Sequence, residues 1–199
     1  RYMFLSLGKA AGADARAEFN YNTGISAGGV TYPSEAKYLL NPYSNVSMSV
    51  AYVVARDGKT KPAIGSISFR AIGLNFKPIP GAPITVKLVV DGATFGPFET
   101  NPASLSSGMY SVWLDTAGTD GDGKPPTLSP ADFAKLATAV DAMKSPEIVL
   151  VRDRTDIARA ALPLPNYTAW RDGLQAWTAK TNPGVGAGTS CPGGGEVLN

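Results

Sequence analysis

Residues 46–72 read VSMSVAYVVARDGKTKPAIGSISFRAI, and this stretch decides the fold class of the chain. From Val46 to Val54, apolar side chains alternate with small ones. A period of two is typical of a strand that buries one face. The Asp57-Gly58 pair that follows favours a tight turn, and residues 64–72 are predicted to form the return strand. Residues 46–72 are therefore predicted to form an antiparallel hairpin.

The same patterns recur along the rest of the chain. Residues 84–90 are β-branched and nearly continuous, and a second Asp-Gly pair separates them from a strand predicted at residues 93–98. The remaining predicted strands are residues 2–7, 109–114, 147–151 and 157–164. The chain carries 22 glycines and 16 prolines, which favour short elements joined by many turns.

Two segments change to a helical period. Ser129 is a good N-cap and Pro130 suits the first helical position. Asn166 is the predicted cap of the second helix. Two stripes follow at helical spacing, Phe133, Leu136, Val140 and Met143 in the first and Tyr167, Trp170, Leu174 and Trp177 in the second. We expect helices near residues 129–144, ended by Pro146, and near residues 166–180.

These elements predict a mostly β protein with two helices, an α+β chain built on an antiparallel β-sandwich-like domain. A single β-rich domain is expected over residues 1–183. Residues 184–199 are glycine-rich and are predicted to form a flexible tail.

Composition narrows the classes of function. The chain has no histidine, one cysteine (Cys191) and a net charge of +2. An internal disulfide and a cysteine-based metal cluster are thereby excluded, and no cofactor is indicated. The basic residues are scattered, so no nucleic-acid face is expected. No apolar run approaches the roughly 20 residues of a membrane helix.

The sequence begins at Arg1 without an initiator methionine or an apolar leader. A removed signal peptide and simple trimming are both compatible with this start. With a signal peptide removed, the chain is expected to be periplasmic or extracellular.

Residues 24–28 read GISAG and match the nucleophile elbow of the α/β-hydrolases, with Ser26 at its centre. In that family a histidine takes the serine proton, and this chain has none. A glycine-rich turn is therefore the favoured interpretation of the motif.

The loop after residue 114 is rich in carboxylates. Asp115, Asp120 and Asp122 are candidate ligands of a calcium ion, because hard cations bind clustered carboxylate oxygens. The spacing departs from that of an EF-hand, since Ser129 stands where the bidentate glutamate belongs. A solvated loop is the alternative interpretation.

Carboxylates on separate strands could also serve glycoside hydrolysis, and Glu99, Asp115 and Asp153 are the candidates. The mixed charges of residues 152–156 favour a solvent-facing turn between two strands. Trp170 and Trp177 are expected in the core, with an aromatic shelf for a ligand as the alternative.

Four short motifs follow one another at characteristic spacing, namely Val90-Asp91-Gly92, Phe95-Gly96-Pro97-Phe98, Ile148-Val149-Leu150 and Leu162-Pro163-Leu164. In the order and spacing of these motifs, residues 84–174 resemble the invasion-associated locus B family of bacterial periplasmic or surface proteins. Where that family usually carries cysteines, this chain has Ser107 and Gly108. The resemblance implies an exported β-sandwich that acts in cell-envelope or host-surface contacts, without a catalytic centre.

The leading hypothesis is a non-catalytic, exported binding or structural module of a cell-envelope or surface assembly, with other protein subunits as partners. One alternative is a fibre subunit whose residues 2–7 add a strand to a neighbour's sheet, although an edge strand of its own sheet is also compatible with this run. A carboxylate-based carbohydrate-active enzyme is the other alternative. Cys191 could link two copies by a disulfide, or it is an exposed thiol without a role.

Overall fold

The computed structural model describes residues 5–6, 16–26, 29–31, 45–55, 60–72, 83–100, 110–115 and 128–180. These residues form ten strands and two helices. The strands are β1 (Leu5–Ser6), β2 (Arg16–Ser26), β3 (Val30–Thr31), β4 (Asn45–Ala55), β5 (Ala63–Ile72), β6 (Ile84–Val90), β7 (Ala93–Glu99), β8 (Tyr110–Asp115), β9 (Pro146–Arg152) and β10 (Thr155–Ala161). The helices are α1 (Pro130–Asp141) and α2 (Tyr167–Lys180).

Two five-stranded sheets contain all of these strands. Sheet 1 has the order β1-β2-β4-β5-β8 and sheet 2 the order β3-β10-β9-β6-β7. The strand pairs whose register is described are antiparallel. The predicted α+β class with antiparallel, sandwich-like sheets is thus confirmed.

The chain divides into two compact units. Unit 1 consists of Arg1–Tyr21, Val50–Gly65 and Pro165–Asn199, and unit 2 consists of Asn22–Ser49 and Ser66–Leu164. The single domain expected over residues 1–183 stays a prediction, and the glycine-rich tail at 184–199 lies outside the described residues.

The core of unit 2 follows from the alternation of apolar side chains. Every second residue of β6 is buried, and β9 buries consecutive residues from Ile148 to Val151, as expected for an inner strand. Phe69 of β5 stacks on Phe98 of β7 with ring centroids 6.2 Å apart, so the two sheets meet face to face within this unit.

Strand β2 was not predicted from the sequence. Phe19, Tyr21 and Thr23 alternate along it and are buried, so the period of two is present. Asparagines and a glycine occupy the positions between, and such residues are depleted in strands. The low overall hydrophobicity of the segment therefore concealed the alternation.

Helix α1 begins as predicted but ends earlier. The Ser129 hydroxyl accepts a hydrogen bond from the Asp132 N–H, and Pro130 occupies the first turn. The helix ends at Asp141, before the predicted residue 144, because the N–H of Lys144 turns to the Asp91 carboxylate. Met143 is nevertheless buried, as its place in the stripe predicted.

The last strand is also displaced from its prediction. The sequence favoured residues 157–164, whereas β10 spans Thr155–Ala161. Leu162 still donates its N–H to the carbonyl of Pro146, but Pro163 has no N–H to continue the ladder. The run at residues 2–7 is represented by β1, which pairs with β2 of the same chain through Leu5 and Phe19.

Neither described helix is long and apolar enough to cross a membrane.

Candidate functional site

The predicted calcium ligands fall largely outside the described residues. The backbone of Asp115 ends β8, but its side chain is not described, and Asp120 and Asp122 lie in the undescribed segment. Within the described ranges, no group of three or more His, Cys, Asp or Glu residues could hold a metal ion. The calcium site therefore stays a prediction, and Cys191 likewise lies beyond the described part.

The serine motif lies at the end of β2. Ser26 is exposed at the last position of this strand, while residues 27–28 are not described. A Cβ added to Gly24 would lie 3.2 Å from the Cβ of Ser47 on β4. Close contact with that strand accounts for the glycine without a catalytic role.

The candidate glycosidase carboxylates are placed on separate elements. Glu99 is exposed at the end of β7, and Asp153 is exposed in the turn between β9 and β10. The predicted solvent-facing turn is confirmed at Asp153 and Arg154. No described ion pair or hydrogen bond joins Glu99 to Asp153.

A different set of charges comes together on sheet 2. We call Lys87, Glu147, Asp156 and Arg159 the charged face. Lys87 Nζ lies 3.2 Å from Asp156 Oδ1. Arg159 bridges two carboxylates, with 2.8 Å to Asp156 and 2.7 Å to Glu147. The four residues therefore form one continuous network of ion pairs.

The register of the strands explains why these residues meet. Lys87 of β6 and Arg159 of β10 both pair with Val149 of β9, so they flank that valine on one face of the sheet. Val149 is 0% exposed although it lies on the same face as two charged residues. Long charged side chains cover apolar surface with their stems, which fits this burial.

The charged face keeps the carboxylate of Asp156 ionised. Partial burial acts to raise the pKa of Asp156, but the hydrogen bonds and charges of Arg159 and Lys87 outweigh it and lower the pKa below its ordinary value. Such a group accepts hydrogen bonds and pairs with cations. It is a poor proton donor near neutral pH.

A second carboxylate, that of Asp91, lies just after the end of β6 and accepts hydrogen bonds from the segment before β9. Asp91 Oδ1 lies 2.8 Å from the N–H of Ser145 and 2.9 Å from its hydroxyl, and both Asp91 oxygens accept from the N–H of Lys144. We call this arrangement the Asp91 clasp. The hydrogen bonds from the hydroxyl and N–H of Ser145 lower the pKa of Asp91.

Unit 1 contains an aromatic cluster of Tyr21, Tyr52, Tyr167 and Trp170. The hydroxyls of Tyr52 and Tyr167 lie 2.7 Å apart in a buried hydrogen bond. The hydroxyl of Tyr21 donates to the carbonyl of Pro165 at 3.0 Å, and its ring lies 4.8 Å from that of Tyr167. The cluster thus packs the start of α2 against β2 and β4.

Part of the aromatic stripe of α2, which was predicted to lie in the core, belongs to this cluster. Tyr167 and Leu174 are buried as predicted, whereas Trp170 is only half-buried and contacts Tyr52 at 5.6 Å between ring centroids. The side chain of Trp177 is not described. Packing through both rings and hydroxyls gives these aromatics a structural role in unit 1.

Neither the charged face nor the Asp91 clasp was predicted from the sequence. The sequence did single out the segments that contain one member of each, namely the mixed charges of residues 152–156, which include Asp156, and the Asp-Gly pair at Asp91. Their partners Lys87 and Ser145 are 69 and 54 positions away, so only the fold brings them together.

Comparison with known proteins adds no relative. No protein-family model matches the chain, and neither a curated protein nor a solved structure is found to match it.

Proposed function

We propose that this chain is a non-catalytic binding or structural module of an exported assembly in a cell envelope or on a cell surface. The observation that carries the proposal is how the described carboxylates are used. Three of them have a shifted pKa, and the shift is downward in each case: Asp91, Asp132 and Asp156.

A hydrolase acting through carboxylates needs one group with a raised pKa to protonate its leaving group. Here the causes of the shifts are donors that hold the fold together. For Asp132 the main cause is the hydroxyl of Ser129, its partner at the start of α1. Carboxylates held ionised in this way favour a scaffold over an acid catalyst.

The exported location rests on the resemblance of residues 84–174 to a periplasmic and surface family. Partner subunits are part of the same proposal. The protein is expected in a larger complex of constant composition, outside the cytoplasmic membrane.

The test uses the full chain in the cells that produce it. After mild crosslinking, extracts are separated by size and probed for the chain, and intact cells are treated with protease to establish its location. Recovery in one high-mass fraction that protease can reach from outside supports the proposal. Recovery as a free cytoplasmic monomer contradicts it.

A parallel assay addresses catalysis. The purified chain is incubated with a panel of chromogenic glycosides and polysaccharides, beside Asp156→Asn, Asp153→Asn and, as a matched control, Asp172→Asn on the exposed surface of α2. No hydrolysis is expected from any of the four proteins. Hydrolysis that is lost in Asp156→Asn or Asp153→Asn and retained in Asp172→Asn, with unchanged melting temperatures, would overturn the proposal.

A further inference from the structure

We propose that β7 is a guarded edge, which closes sheet 2 against the addition of a strand from a partner or from a second copy. This inference stands independently of the proposed function. If the chain assembles, its contacts then use surfaces other than the main chain of β7.

Strand β7 ends the sheet and is open to solvent. It is the last strand in the order of sheet 2, and β6 is its described partner. Most of its residues are exposed, namely Ala93, Thr94, Gly96, Pro97 and Glu99. An exposed edge strand offers main-chain donors and acceptors to any other strand unless something prevents the pairing.

The hairpin geometry shows which of these groups point outward. The two-residue turn makes Val90 and Ala93 a hydrogen-bonded pair, so the next pair, Val89 and Thr94, is not hydrogen-bonded. The N–H and C=O of Thr94 therefore point away from β6. Along β6, hydrogen-bonded and non-hydrogen-bonded residues alternate, so Thr85, like Val89, is not hydrogen-bonded to β7. Glu99 pairs with Thr85, and its main chain therefore also points away from β6.

A bulge separates these two outward positions. The register shifts between Val86 and Leu88, where β7 contains the extra residue. Gly96 has φ +99°, and a Cβ there would lie 2.9 Å from the carbonyl oxygen of Val86, so the bulge needs glycine. Pro97 follows and has no N–H to offer.

The bulge makes the edge a poor template. Outward groups on a regular strand recur at every second residue, but Thr94 and Glu99 are an odd number of positions apart. A regular incoming strand that pairs with Thr94 is out of step at Glu99, and it meets a proline between them. Bulges and prolines are the usual protection of exposed edges.

The experiment removes the two features that protect the edge, the bulge at Gly96 and the missing N–H of Pro97. Deleting Gly96 restores the register, and Pro97→Val restores the missing N–H, so only the combined variant has a regular edge. Light scattering coupled to size exclusion measures the mass of the wild type, both single variants and the combined variant across a range of concentrations. We expect at least a twofold increase in mass, growing with concentration, for the combined variant alone.

Each outcome decides the proposal. A combined variant that melts cooperatively and has the mass of the wild type at every concentration overturns it. If that variant does not fold, amide hydrogen exchange of the wild type decides instead. The amides of Thr94 and Glu99 should exchange about 100-fold faster than that of Phe95, which faces β6. Protection of Thr94 equal to that of Phe95, in the free chain or in cell extract, also overturns the proposal.

Discussion

The two tight hairpins of sheet 2 have positive φ at both turn positions and differ in the residue at the second position. In the β6–β7 turn, Asp91 has φ +48° and Gly92 has φ +89°. In the β9–β10 turn, Asp153 has φ +49° and Arg154 has φ +64°. Two positive φ values are what a two-residue hairpin with a type I′ turn requires, and glycine meets the requirement without the cost of a Cβ.

The hairpins also differ in how they are anchored. Asp91 is fixed by donors from Lys144 and Ser145, so its turn is attached to the segment that leads into β9. Beside the second turn, ion pairs on the sheet itself join Asp156 to β6 and Arg159 to β9. The first turn is held by hydrogen bonds to the segment before β9, whereas the second lies beside half-buried ion pairs and carries a non-glycine residue, Arg154, at its second positive φ.

The largest effect is expected from Gly92→Val. Nothing lies within 4 Å of a Cβ added there, so the cost is purely that of a branched side chain at positive φ. We expect a loss of about 2 kcal/mol in the free energy of unfolding, measured by urea denaturation. Gly173→Ala in α2 is the control, because its Cβ also meets open space. That helical substitution should stabilise the protein by about 0.8 kcal/mol.

The next effect is the pH dependence of the Asp91 clasp. Its pKa is lowered in the folded protein, so its stabilising contribution is present above the ordinary value near 3.8 and is lost as pH falls through the folded value. Asp91→Asn should therefore be less stable than the wild type at pH 6, and the difference should shrink toward pH 2.5. Thermal unfolding across this pH range measures the difference.

Ser145→Ala tests whether the clasp, rather than charge alone, produces that dependence. This variant removes the hydroxyl donor to Asp91 and keeps the two main-chain donors, so its curve should lie between those of the wild type and Asp91→Asn. A difference between wild type and Asp91→Asn that is constant from pH 6 to pH 2.5 would contradict the clasp.

The two hairpins also show what the sequence could predict. The Asp-Gly pair indicated the first turn, and the alternation of β6 gave its exact bounds, because a local pattern decides both. The cap of α1 was predicted for the same reason. The clasp, the charged face and the aromatic cluster join residues far apart in sequence, and β2 was hidden by its asparagines. Local propensity carries no signal for such contacts.

A smaller effect is expected from the charged face. Arg159→Met keeps an apolar side chain beside Val149, the residue paired with it on β9, and removes both ion pairs. Its side chain is 40% exposed, so water and salt screen these pairs. We expect a loss of about 0.7 kcal/mol at low salt, which should largely disappear in 1 M NaCl. A loss that is equal at both salt concentrations would instead assign the role of Arg159 to packing.

The smallest expected effect is a gain, from Arg154→Gly. At φ +64° the Cβ of Arg154 costs about 1 kcal/mol in the folded state, and glycine removes that cost. Glycine also increases the entropy of the unfolded chain, so the net gain should be about 0.5 kcal/mol in urea denaturation. Thr155→Gly, one residue further along and in β10, is the control and should destabilise by about 1 kcal/mol. Glycine there increases the entropy of the unfolded chain and relieves no positive φ in the folded state. Equal losses in both variants would mean that the second turn carries no left-handed strain, and the contrast between the two hairpins would then rest on their anchors alone.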